Sequence, residues 1–135
     1  MNKILFVLSV LCLSGSVCTK ISTPEEEARK SMNELISLTE IMTKRIENVK
    51  TEQEAATVML EFSVKAKKII DTRKFLEKNY SELREIEMNP LFLNETSRFK
   101  TVFMTYENAQ AVTCGKYPDS KIINSAFDAF VKVFR

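Results

Sequence analysis

Residues 42–59 read MTKRIENVKTEQEAATVM, the end of one apolar stripe, a short polar interruption and the start of another. Met42, Ile46 and Val49 close the first stripe, and Ala55, Val58 and Met59 open the second. Between them, Thr51-Glu52-Gln53-Glu54 has the form of a capping box. In such a box the threonine oxygen takes a free backbone N–H of the first turn, and the glutamate reaches back to the threonine N–H. Two amphipathic helices separated by so few residues must fold back antiparallel, so this stretch predicts a helical hairpin.

Working upstream, Ala28, Met32, Leu35 and Ile36 continue the first stripe at steps of one, three and four residues. Thr23-Pro24-Glu25-Glu26 supplies its start: threonine as N-cap, proline at the first helical position where its missing N–H costs nothing, and Glu26 closing a second capping box. The spacing predicts a helix of about 25 residues.

Downstream, Phe62, Ala66, Ile69, Ile70, Phe75 or Leu76, Tyr80 and Leu83 extend the second stripe as far as Asn89-Pro90. A helix of about 35 residues is ~53 Å long, more than its partner can cover. A bend or break is therefore expected near Asn79-Tyr80-Ser81, where helix propensity drops.

Asn94 or Asn89 can cap a third helix carrying Phe99, Val102, Phe103, Tyr106, Ala109 and Val112, with Gly115 as a left-handed stop. Tyr117-Pro118-Asp119-Ser120 reads as a turn whose Asp119 caps a fourth helix. Its inward positions are Ile122, Ile123, Ala126, Phe127, Phe130, Val131 and Phe134. Glycine occurs only at 15 and 115 and proline only at 24, 90 and 118, so turns are few and elements long. The expected fold is all-α: an antiparallel, up-down-up-down four-helix bundle, with a long helical hairpin capped by a shorter aromatic-rich one as its main variant.

The amino terminus carries a different message. Met1-Asn2-Lys3 is a short positive start, Ile4 to Leu13 is apolar but for Ser9, and Ser14-Gly15-Ser16 loosens the chain. That is the layout of a signal peptide, and the run is shorter than the ~20 residues a membrane span needs. Small residues allow cleavage after Ser16 or after Cys18, so residues 1–18 are expected to be a leader and 19–135 a single exported helical domain. Gly15-Ser16-Val17-Cys18 also partly resembles a lipobox, in which Cys18 carries the lipid. Cys114 is then buried as a small hydrophobe, joins two chains, or pairs with Cys18 if that residue is retained.

Composition rules out much chemistry. The formal net charge is +2, and removing the leader takes Lys3 with it, so the basic excess of a nucleic-acid binder is absent. There is no histidine, which excludes Cys-His pairs, Ser-His-Asp triads, zinc sites of the Cys and His type and the Glu-x-x-His motif of di-iron bundles. Glycine-rich phosphate loops cannot be built. Glu25-Glu26-Glu27 lies in the opening turn of a helix, where the macrodipole favours negative charge, and Glu82, Glu85 and Glu87 face outward. The basic stretch Lys65, Lys67, Lys68, Arg73, Lys74 and Lys78 is interleaved with Glu61, Asp71 and Glu77, the pattern of an exposed helix face. Asn79-Tyr80-Ser81 and Asn94-Glu95-Thr96 fit the N-glycosylation pattern, which short sequences match by chance.

Met32, Met42 and Met59 fall on the apolar stripes. The layout loosely resembles that of periplasmic haem-binding four-helix cytochromes, but the histidine ligand and the Cys-x-x-Cys-His attachment are missing, so these methionines read as core filling. No cofactor and no metal is called for.

The last two helices are unusually rich in rings. Phe99, Phe103, Tyr106, Phe127 and Phe130 are the candidate patch for an apolar ligand or a partner, and Cys18 and Cys114 are candidates for lipidation or a disulfide. The function expected is binding without catalysis. The first expectation is a protein or cell-envelope partner, with membrane contact only through a lipidated Cys18. The second is carriage or sensing of a small apolar ligand between the two C-terminal helices.

Overall fold

The computed structural model describes residues 21–134, and among these it is all-helical, with four helices and no strand. The leader, Cys12 and Cys18 lie outside the described residues.

Both capping boxes form. Helix α1, Pro24–Glu47, starts where Thr23 Oγ1 accepts the Glu26 N–H at 3.1 Å and Glu26 Oε2 accepts the Thr23 N–H at 2.9 Å. Helix α2, Glu52–Asn79, repeats the arrangement with Thr51 and Glu54. Glu54 Oε2 also accepts the Lys50 N–H at 2.6 Å, which ties down the connection between them. The expected hairpin follows.

α2 stops at Asn79 instead of running on to Asn89. The Asn79 side chain turns back to donate to the Phe75 carbonyl at 2.7 Å, a bond that competes with further helix. A 3₁₀ turn at Ser81–Leu83 and another at Pro90–Phe92 carry the chain across the base. Glu85 sits in this crossing at φ 53°, an uncommon conformation for a residue with a side chain. Glu77 fixes the next residue by accepting the Ile86 N–H at 2.9 Å. Leu83, Ile86 and Phe92 from the crossing are fully buried against Ala28, Met32 and Leu76, a second apolar cluster that plugs the base.

Helix α3, Leu93–Gly115, has no side-chain cap. Asn89 caps the preceding 3₁₀ turn, its Oδ1 accepting the Leu91 N–H at 3.0 Å, and Asn94 lies within the helix. Gly115 is the last helical residue and has no positive φ; Lys116 follows it in right-handed geometry, so the expected left-handed stop is not used. Helix α4, Lys121–Phe134, is capped by Ser120, whose Oγ accepts the Ile123 N–H at 3.3 Å, and not by Asp119. The Tyr117–Ser120 turn closes as the sequence suggests, with the Ser120 N–H donating to the Tyr117 carbonyl, so only the cap moves by one residue.

The order across the molecule is α3, α1, α2, α4. Arg29, early in α1, donates to the Leu91 carbonyl and to Glu95 at the start of α3. At the other end Thr113 Oγ1 donates to the Ile46 carbonyl at 3.2 Å, and the Tyr117 hydroxyl to the Lys50 carbonyl at 3.0 Å. So α3 runs beside α1 in the same direction, and α4 lies along α2. The two central helices bury residues on two sides: α1 uses Ser31, Thr39 and Thr43 as well as its apolar stripe, and α2 uses Ala56 and Ser63. Thr39, Thr43 and Ser63 donate to the carbonyl four residues back, and Ser31 to that three back, so these hydroxyls are buried without a loss of hydrogen bonding.

Candidate functional site

α3 and α4 approach each other mainly through side chains. The rings that meet between them begin with Phe62 of α2, fully buried, which takes the Tyr106 ring edge-to-face at 4.7 Å and 81°. Phe130 and Phe134 of α4 pack on the Phe62 ring at 5.5 and 5.4 Å. Phe103 of α3 completes the cluster, 4.8 Å from Phe134 and near-parallel to Phe130 at 6.0 Å. Offset and edge-to-face pairs of this kind add stabilisation beyond the area they bury. Because bulky rings fill the space at one depth, the helix backbones stay apart, and a groove of about 450 Å³ remains between them.

Phe103, Glu107, Gln110, Ala111 and Cys114 form the α3 wall, at steps of one, three and four residues. Ile123, Asn124, Phe127, Phe130, Val131 and Phe134 form the α4 wall with the same repeat. Most of this lining is apolar. Gln110 is only 3% exposed, and its Nε2 is buried with no hydrogen-bond partner. The Tyr106 hydroxyl, one turn earlier in α3, is likewise buried and unpartnered. Burial pushes the Tyr106 phenol far above its usual range, with a smaller push from Cys114. Burial also raises the Cys114 thiol, which is half-buried and has no disulfide partner among the described residues. Neither group carries charge near neutrality, and the thiol is not activated as a nucleophile.

Three of the five ring positions anticipated from sequence line the groove: Phe103, Phe127 and Phe130. Tyr106 belongs instead to the core beneath it. Phe99 packs against Phe103 at 5.3 Å with the rings tilted by 37°, away from the groove lining. Cys114 is at the wall, and Cys18 is not among the described residues. Phe127 and Ile122 were expected to face inward, as was Val112; they are 42%, 40% and 67% exposed, because α3 and α4 each cover only one side of the central hairpin. The sequence reading passed over Gln110, Glu107 and Asn124. Glu107 and Gln110 fall at helical spacing with Phe103 and Cys114, but α3 carries apolar residues on every side, so that spacing alone singles out no face.

The other candidate clusters resolve into structural roles. Arg45 and Lys65 both pair with Glu61 and hold its carboxyl below its usual range, the Lys65 hydrogen bond acting most strongly. Lys67 pairs with Asp71 and Arg73 with Glu87. Glu25 pairs with Arg29, and Glu26 closes the α1 cap. Met32, Met42 and Met59 are buried in the two apolar clusters or beside them. Among the described residues, no three Cys, Asp or Glu side chains converge as metal ligands, and no helix is long and apolar enough to cross a membrane. Compared with known proteins, the chain matches no family model, no curated protein and no solved structure.

Proposed function

We propose that this protein acts by binding without catalysis, as a carrier or sensor that holds a small apolar molecule in the groove between α3 and α4. The observation that carries this is an apolar groove of about 450 Å³ with an unpartnered amide at its wall. Its size falls within the ~300–1,000 Å³ of ordinary small-molecule sites, and apolar walls with few polar groups are what such sites use. The neutral fluorophore phenylnaphthylamine tests it. Emission rises on binding to the wild type and stays at the free-dye level with Ala111→Trp, which fills the groove from an exposed position. A wild type that leaves the dye dark ends this proposal.

A second reading, a protein or envelope partner, is favoured by the outer face of α2. Val64 and Phe75 are 72% and 62% exposed there, with Leu60 one turn before Val64 and Lys67 and Lys68 between. A photocrosslinker at position 64 gives one discrete adduct in the native host, abolished by Phe75→Lys; a smear or no adduct removes this reading.

We further propose that the chain is exported, on the strength of the leader at residues 1–18. The protein recovered from its host then begins at Thr19, or carries a lipid-sized mass on Cys18. An intact Met1 would refute export by this route.

A further inference from the structure

We propose that the groove selects an uncharged amphiphile, an apolar chain or ring system bearing a carbonyl or similar hydrogen-bond acceptor that is met by the Gln110 amide. This rests on the groove being a ligand site, as argued above, and adds the chemistry of its occupant.

Charge and hydrogen bonding each narrow the choice. Among the described residues the groove wall contains no lysine or arginine, and its one acidic side chain is Glu107, which stands exposed. A carboxylate, phosphate or sulfate drawn into apolar surroundings without a counter-charge loses its hydration and gains nothing, and Glu107 repels it. Cys114 adds no charge, since its thiol is protonated. A cationic amine fares better with Glu107, but an exposed carboxylate contributes little attraction. An ammonium group also has no lone pair to offer, so it leaves the Gln110 Nε2 as it found it.

That nitrogen is the second constraint. It is buried and lacks an acceptor, and a buried donor left unmatched costs its full desolvation. A ligand that brings an acceptor removes this cost, while a plain hydrocarbon fills the space between Phe127, Phe130 and Phe134 and leaves it standing. Sites built to hydrogen-bond a ligand group discriminate strongly against analogues that lack it.

Displacement of phenylnaphthylamine from the full chain at neutral pH compares methyl undecyl ketone, dodecanoate and dodecylamine. We expect the ketone to displace the dye at concentrations about tenfold below either ion. Gln110→Leu, of similar size, weakens the ketone by about fivefold more than it changes dye affinity, the loss of one ordinary hydrogen bond, and an unchanged far-UV circular dichroism spectrum reports an intact fold. Glu107→Gln, at an exposed position, narrows the gap between dodecanoate and ketone. Dodecanoate binding as well as the ketone to the wild type overturns the proposal, and so does a ketone affinity that Gln110→Leu leaves unchanged. Both outcomes keep the groove as a ligand site, whereas failure of the wild type to bind the dye removes that site and this proposal together.

Discussion

The base of the molecule and the α3/α4 face are built from similar residues and end up differently. At the base, the thirteen-residue crossing from Tyr80 to Phe92 folds under the central hairpin and buries Leu83, Ile86 and Phe92 completely. Arg29 then locks the crossing: it donates to the Leu91 carbonyl and Glu95, pairs with Glu25, and lies 5.3 Å from the centre of the Phe92 ring. At the α3/α4 face the connection is only the short turn after Gly115, which is spent on capping α4. No described segment is left over to cover the rings, so a groove persists where the base has a plug. Apolar composition alone therefore does not close a surface; it closes where connecting chain is long enough to lay side chains into the gap.

The contrast can be broken hardest at its closed end. Phe92→Ala removes a fully buried ring and is expected to cost about 3–5 kcal/mol in urea unfolding. A cost near 1 kcal/mol would mean the plug is loose and the two regions differ less than their burial indicates.

Arg29→Met comes next, at about 1–2 kcal/mol, between the values for exposed and buried ion pairs because Glu95 is mostly covered while Arg29 is partly open. The same variant alters the acid response. Burial pushes the Glu95 carboxyl up, but the hydrogen bond from Arg29, one from its own backbone N–H and the Arg29 charge outweigh this and hold it below its ordinary value of 4.5. A carboxyl depressed in the folded state adds stability above its unfolded value, and that stability is lost as pH falls through the folded value. Wild-type stability should thus decline below about pH 4.5, and Arg29→Met should flatten that decline; parallel pH curves for the two proteins would show that the pair is not responsible.

Phe127→Ala probes the open face. Its ring is partly in solvent, so unfolding free energy should fall by about 1 kcal/mol or less while phenylnaphthylamine binding is largely lost. Loss of stability comparable to Phe92→Ala would show the ring to be core and not wall. The smallest effect is expected at Gly115→Ala. A Cβ there meets nothing within 4 Å and the backbone is already right-handed, so thermal unfolding should show a gain of about 0.5 kcal/mol; destabilisation would restore glycine's role as a helix stop.

The central hairpin was the most legible part of the molecule from sequence. Thr23-Pro24-Glu25-Glu26 and Thr51-Glu52-Gln53-Glu54 specify their helix starts through contacts within one turn, and the weak helix formers at Asn79-Tyr80-Ser81 mark the end of α2 within a residue. These are local interactions, and local sequence contains all their partners. Of the groove, the ring-rich helices and the three wall rings Phe103, Phe127 and Phe130 were among the features singled out from sequence. Gln110 and Glu107 were not, because α3 carries apolar residues on every side, including exposed Met104 and Val112, and its periodicity marks no single face.

The amino-acid sequence by itself thus determined the all-helical class and the antiparallel central hairpin, both of which follow from composition and short-range pattern. Only the tertiary structure decided that α3 lies on α1 and α4 on α2, leaving rings to hold the last two helices apart. That choice depends on contacts such as Arg29 with Glu95 and Thr113 with Ile46, 66 and 67 residues apart in the chain, which no local pattern records.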